Sequence, residues 1–298
     1  MAPPLPRLAG VTHRTIELRS GVRAHVAQAG EPDAPPVLCL HGWPQHWWIW
    51  RRVIPLLRDD FHLICPDLRG YGWSSFPPDG DFRPQRFADD AVSLLDELGI
   101  EHAHVMGHDW GAWTGMLLAI DAPQRLHSLL ALGVPHPWQP PGRSLRNAWR
   151  FSYQVPLATP VLGERLQRQE AFIRRVLRSA WGERDTWEED AADRYAAAFA
   201  QPQTARAGHR TYRSFVTREL APSAAGRFKD KRLGVPARLI VGRRDMLGPV
   251  FAEGFEEHGD DAAWEVLEGC GHFVPEERPD EVAERARTLF RRSSRGSR

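Results

Sequence analysis

Cysteine is scarce in this 298-residue chain: Cys39, Cys65 and Cys270 are the whole complement, and two of them sit in apolar, strand-like runs. An odd, sparse set of this kind excludes a disulfide framework and reads as buried thiols in a reducing compartment. No uninterrupted apolar run of membrane length occurs, so no spanning helix and no membrane partner are expected. The first residues, Met1-Ala2-Pro3-Pro4-Leu5-Pro6, have neither the basic start nor the apolar stretch of a signal peptide, and a cytoplasmic location is expected. Excess charge is missing too. Lys and Arg number 39 against 38 Asp and Glu, which leaves no electrostatic footprint for nucleic acid. The arginine-rich end, Arg291 to Arg298, reads as a frayed tail. Neither a phosphate-cradling glycine-rich loop nor an internal repeat is visible. Only four tyrosines are present, so each can be weighed singly.

What is present is alternation. At 42% apolar content the chain can bury a large core. Strand-like runs alternate with helical patterns from residue 35 to about 135, the signature of a mainly parallel sheet wrapped by helices. Val37 to Leu40 and Phe61 to Cys65 are such runs, and Phe87 to Leu98 reads as a helix stopped by Gly99. The alternation ends at a proline-rich stretch, Pro135 to Pro141. From there to Lys231 the pattern is helical, and Thr186-Trp187-Glu188-Glu189 reads as a capping box opening a helix through about Ala200. Sheet resumes at Ala237 to Val241 and near Trp264 to Leu267, and a helix from about Pro279 to Arg291 closes the chain. Residues 1–135 and 232–298 are therefore expected to form one core domain, with 136–231 inserted as a helical cap.

Gly107-His108-Asp109-Trp110-Gly111 lies between an apolar strand and an Ala/Leu-rich helix. A strand-to-helix corner with flanking glycines is a nucleophile elbow, and here it presents a carboxylate instead of a hydroxyl. A carboxylate is ionised at neutral pH and can displace a leaving group from saturated carbon, forming an ester that must then be hydrolysed. Upstream, one apolar run leads into His41-Gly42-Trp43-Pro44 and another into Asp67-Leu68-Arg69-Gly70-Tyr71-Gly72.

Together these motifs resemble the α/β-hydrolase fold, specifically its epoxide hydrolase branch, from about Gly10 to about Phe290. The resemblance implies an eight-stranded, mainly parallel sheet with an inserted cap, no cofactor, and a reaction that converts an apolar aryl or alkyl epoxide to a vicinal diol with water. His272, in Gly271-His272-Phe273-Val274-Pro275-Glu276, matches the base that activates water. The chain order of nucleophile, acid and base supports it. Asp245 matches the acid after the seventh strand, Ala237 to Val241, since no acidic residue follows the sixth, Leu129 to Pro135, until Glu164; the alternative is a loop carboxylate paired with Arg243 or Arg244. Trp43 and Trp110 match the oxyanion donors, His41 and Pro44 the substrate wall, and Trp43-Pro44 a cis peptide. Tyr212 matches one cap donor to the epoxide oxygen. For the other, Trp149 stands at the family's tyrosine position, and Tyr153, four residues on, offers a hydroxyl on the same helical face. Tyr195 reads as helix packing with Phe199, and Tyr71 as shaping its turn.

The same Asp-His-Asp set would serve a haloalkane dehalogenase, which is the alternative, although an aromatic residue at position 43 favours the epoxide branch. Fluoroacetate dehalogenases carry arginines just after the nucleophile, and none stands here before Arg125. A non-catalytic binder on this fold would not need Asp109, Asp245 and His272 together. His102, His104 and His108 lack zinc-ligand spacing, so no metal is expected. A homodimer is left open.

Overall fold

The computed structural model describes residues 3–140, 142 and 146–295. Eight strands form one sheet in the order β1-β2-β4-β3-β5-β6-β7-β8: Val11–Glu17, Arg23–Ala29, Pro36–Leu40, His62–Pro66, Ala103–His108, Leu126–Leu132, Ala237–Gly242 and Ala262–Leu267 for β1 to β8 in chain order. The β1/β2 and β2/β4 pairs are antiparallel and the remainder parallel. Every residue of β4 and β5 is buried, as befits central strands covered on both faces, and this is why their sequences read as continuous apolar runs. Helices α1 (Pro84–Glu97), α2 (Trp110–Asp121) and a later closing helix, Pro279–Arg295, cover the faces. The expected frayed tail is corrected in part, because that helix continues through Arg295; residues 296–298 lie outside the described residues.

Chain order reverses around β3, β4 and β5, and ligands in such sheets bind beyond the carboxyl ends of the strands at a reversal of this kind. The loops after β3, β5 and β7 carry Trp43, Asp109 and Asp245.

Between β6 and β7 the described residues form helices and no strand: α3 (Gln154–Ala158), α4 (Leu162–Gln167), α5 (Glu170–Ala180), α6 (Glu189–Phe199) and α7 (Pro202–Ser214), with shorter turns. Pro141, the end of the proline-rich stretch, lies outside the described residues. The capping box at Thr186 is not formed. Helix α6 starts at Glu189 with Glu188 as its N-cap and no side-chain cap. The Thr186 hydroxyl is already committed, accepting from the Trp181 indole at 2.7 Å and donating to the Glu183 carbonyl at 2.9 Å. On α7, Ala207, Thr211 and Tyr212 face inward while Arg206, Arg210 and Arg213 face water, the split expected of an amphipathic surface helix.

Polar contacts seat this layer on the sheet. The Tyr71 hydroxyl donates to Thr211 Oγ1 at 3.0 Å, so Tyr71 reaches helix α7 as well as shaping its turn. The Tyr195 hydroxyl donates to Glu276, which also pairs with Arg51, and Arg51 in turn meets Glu188.

Asp67 organises the loops beneath. Its carboxylate meets His25 Nδ1 at 2.8 Å and accepts the Trp47 and Trp73 N–H groups at 2.8 and 3.0 Å. Burial alone would raise this carboxyl, but His25, with His46 and His41, holds it down at about 2. A carboxyl depressed in the folded state adds stability that is full above the unfolded value of about 3.9 and is lost as pH falls towards 2. Asp67→Ala is expected to cost about 3–5 kcal/mol, because it strands buried donors and a histidine without their partner. Urea unfolding at pH 7 measures this loss, and repeating it near pH 2 should shrink the difference from wild type.

Candidate active site

Strand β5 delivers the chain to Asp109 at φ 51° and ψ −118°, a conformation rare for a residue with a side chain. Such strain persists only where surroundings enforce it. Here the Asp109 N–H donates to Leu132 O at 3.1 Å and its carbonyl accepts the Trp113 N–H at 2.9 Å. A Cβ at Gly111 would lie 2.0 Å from Leu40 O, and one at Gly42 would lie 2.4 Å from Asp109 Cβ. Only glycine lets the helix start and the β3 loop close this tightly around the carboxylate.

Asp109 Oδ2 accepts the Trp43 N–H at 2.8 Å, and the Trp110 N–H, the first of α2, also stabilises the charge. With Oδ2 tied to the Trp43 amide, Oδ1 is the oxygen left to attack. Asp109 stays partly accessible, yet its low-dielectric surroundings push the carboxyl up to about 6 against the opposing pull of His272 and the two amides.

His272 Nδ1 lies 3.0 Å from Asp245 Oδ2, and Asp245 Oδ1 accepts the Leu247 N–H at 2.9 Å. Arg243 pairs with Glu268 at 2.8 Å and Arg244 donates to Gly182 O at 2.7 Å, so neither takes the Asp245 carboxylate. Burial would lower the His272 pKa, but the charge of Asp245 and the bond to it, with Asp109 and Glu277, raise it to about 9. His108 Nε2 meets the His272 carbonyl at 2.9 Å and His104 Nδ1 meets Ser128 Oγ at 2.8 Å. Those histidines are thus held by separate partners, and no group of metal-holding geometry occurs among the described residues.

Aromatic side chains wall the space above Asp109. Tyr212 packs edge-on against Trp43 and Trp110, with ring centroids 5.2 and 5.6 Å apart, and Tyr153 approaches Tyr212 at 6.1 Å. Burial pushes both phenols well above their ordinary pKa, with Asp109 adding to the effect. Both therefore stay protonated donors at neutral pH. Phe215, which the sequence did not single out, opens a π-helical turn just after Tyr212 and packs on Trp110 and Trp113.

Two residues expected to meet the substrate are elsewhere. Trp149 is 62% exposed, its ring under the Arg150 guanidinium at 4.9 Å; the segment Ala148–Phe151 is a 3-10 turn whose phase sends it outward. His41 is fully buried, with Nδ1 bonded to Gly42 O and Nε2 accepting the Leu68 N–H, both at 2.9 Å. Its ring is a brace between two loops and has no nitrogen left for a ligand. Pro44 is buried and follows the cis Trp43-Pro44 peptide. Gln167 was also not singled out: it accepts the Trp43 indole N–H at 2.9 Å, a meeting of residues far apart in the chain that no local pattern signals.

A family model described as the alpha/beta hydrolase fold matches residues 35–279. The chain belongs to the α/β-hydrolase fold family. This α/β hydrolase is 30% identical to epoxide hydrolase A of Mycobacterium tuberculosis, covering 91% of this chain and 94% of that protein. It is 29% identical to the soluble epoxide hydrolase of Corynebacterium sp. strain C12, covering 94% and 97%. Among solved structures it is similar to the ligand-free epoxide hydrolase CorEH, with a TM-score of 0.81 and 28% identity over 95% of this chain and 99% of that one.

Proposed function

We propose that this α/β hydrolase is an epoxide hydrolase that opens an apolar aryl or alkyl epoxide to a vicinal diol, with residues 136–231 acting as its cap. The observation that carries the reading is the carboxylate of Asp109 at the elbow, one oxygen held by the Trp43 amide and two protonated phenols above it. Asp109 Oδ1 attacks a ring carbon, the C–O bond breaks, and Tyr212 with Tyr153 steadies and protonates the departing oxygen. Loss of the carboxylate charge removes one of the groups that hold His272 protonated. The imidazolium then gives its proton, through solvent, to the phenolate left on the tyrosine, and the neutral imidazole takes a proton from the water that adds to the ester carbonyl. Oxyanion charge collects on Oδ2, against the Trp43 and Trp110 amides, and on collapse the His272 imidazolium protonates the alkyl oxygen, which leaves as the diol, while the regenerated Asp109 carboxyl returns its proton to the imidazole. Asp245 keeps the imidazole oriented and stabilises the cation. No cofactor enters this sequence. The three free, buried cysteines fit a reducing compartment such as the cytoplasm, and no described helix is long and apolar enough to cross a membrane.

A dehalogenase needs two donors for the leaving halide. The Trp43 indole N–H is committed to Gln167, which leaves only the Trp110 indole on that side and favours the epoxide. Incubation with an aryl epoxide and, in parallel, a bromoalkane tests this directly. Diol without bromide is the expected result; bromide without diol would overturn the reading in favour of dehalogenation.

A further inference from the structure

Directly after the base, the short helix α8 (Val274–Glu277) carries a carboxylate that the mechanism above does not use. Glu277 is 2% exposed, and all its hydrogen bonds to backbone N–H groups fall at one joint. Oε2 accepts the Gly271 N–H at 2.9 Å and the Gly182 N–H at 2.7 Å, and Oε1 accepts the Phe273 N–H at 3.1 Å. Gly271 and Phe273 flank His272, while Gly182 follows α5 in the cap. The same cap turn makes further bonds to the core. The His272 N–H donates to Ala180 O at 2.8 Å, and Arg244, next to Asp245, donates to Gly182 O at 2.7 Å. The fit leaves no room for side chains: a Cβ on Gly271 would lie 2.3 Å from Ala180 O, and one on Gly182 would lie 2.3 Å from Gly271 N.

A buried carboxylate that accepts three backbone N–H groups is expensive to remove, since each donor would be left dry and unpaired. Packing alone would not need a charge here. Such an acceptor fixes a loop to fractions of an ångström, and a base must be held that closely to share a proton with its water.

We propose that Glu277 is a positioning residue for the base: it clamps the backbone on both sides of His272 to the cap turn Ala180–Gly182, and so governs hydrolysis of the ester but not its formation. The inference rests on the roles given above to Asp109 and His272. Ester formation escapes because Asp109 is placed by β5, β6, α2 and the Trp43 amide, none of which touches the Glu277 carboxylate. Through Glu277 the cap and the base also move as one body, so that displacement of the cap turn carries His272 with it.

Glu277→Gln keeps the size but loses the charge and places an N–H₂ group against at least one of the three donors. In single-turnover mixing with an aryl epoxide, ester formation should be unchanged and hydrolysis slower by about 10²-fold, the effect of moving a catalytic group by about 1 Å. Glu277→Asp, which keeps the charge with a shorter reach, should fall between the two and serves if the glutamine variant does not fold. Two readouts do not depend on turnover. Amide hydrogen exchange at Gly182, Gly271 and Phe273 should quicken. The His272 titration seen by NMR should move below its wild-type midpoint, since one negative neighbour is gone while Asp245, Asp109 and His108 still face the ring. Equal slowing of both chemical steps, or no change in hydrolysis, would overturn the proposal, as would unchanged exchange and titration. Failure of the wild-type protein to form diol, with no ester trapped in the His272→Gln protein, would instead sink the epoxide reading; exchange and titration would still decide whether Glu277 holds the base.

Discussion

Asp109→Ala is expected to lower epoxide turnover by on the order of 10⁶-fold, the scale seen when a covalent nucleophile is deleted. Two nearby carboxylates are committed elsewhere: Asp245 is turned towards His272 and Leu247, and Glu277 is closed off by three N–H donors. Steady-state diol formation measures the loss, and a surviving rate within tenfold of wild type would refute covalent catalysis by Asp109. The ionisation of Asp109 adds a second signature. With its carboxyl pushed up to about 6, the attacking anion is lost as pH falls through that value, so single-turnover ester formation should decline on the acid side of about pH 6. Atom balance gives a third. The diol carries one oxygen from the epoxide and one from Asp109, so a first turnover in heavy-oxygen water should label the protein and leave the diol unlabelled.

His272→Gln should separate the two half-reactions. Ester formation does not need the base and should persist, while hydrolysis should slow by about 10²–10⁴-fold, the usual contribution of a positioned general base. The protein should then accumulate one alkyl group per chain, visible as a mass increase equal to that of the epoxide. Absence of that adduct together with a normal steady-state rate would remove His272 from the mechanism. The reasoning follows from charge. In the free protein His272 stands near pKa 9 because Asp245 and Asp109 face it, and it is protonated at neutral pH. Only after Asp109 becomes a neutral ester can the imidazole act as a base, so its midpoint in the intermediate should lie below that of the free protein.

Residues whose placement is written locally are legible in the sequence. The Gly107-to-Gly111 corner, the apolar runs of β3, β5, β6 and β7, and the His272 loop after the last strand each follow from a short stretch of chain with its own periodicity or turn chemistry. Errors arose where a nearby or distant partner outcompeted the local rule. α-Helical spacing puts Trp149 and Tyr153 on one face, but the chain winds a 3-10 turn over Ala148–Phe151, and of the two Tyr153 reaches Tyr212. Thr186 has the capping-box pattern, yet the Trp181 indole five residues back claims its hydroxyl. His41 sits in the loop motif expected to meet substrate, but Leu68, on the far side of β4, takes its free nitrogen. Gln167 and Glu277 act only through groups brought together by folding, on the Trp43 indole and on Gly182.

The amino-acid sequence by itself determined that a carboxylate stands on a tight strand-to-helix corner, because such turns and their glycines are specified by neighbours in the chain. The tertiary structure alone decided which polar groups remain free to act and at what pH, because desolvation and hydrogen-bond commitment depend on residues that meet across the sheet and cap, such as Trp43 with Asp109 and Asp245 with His272.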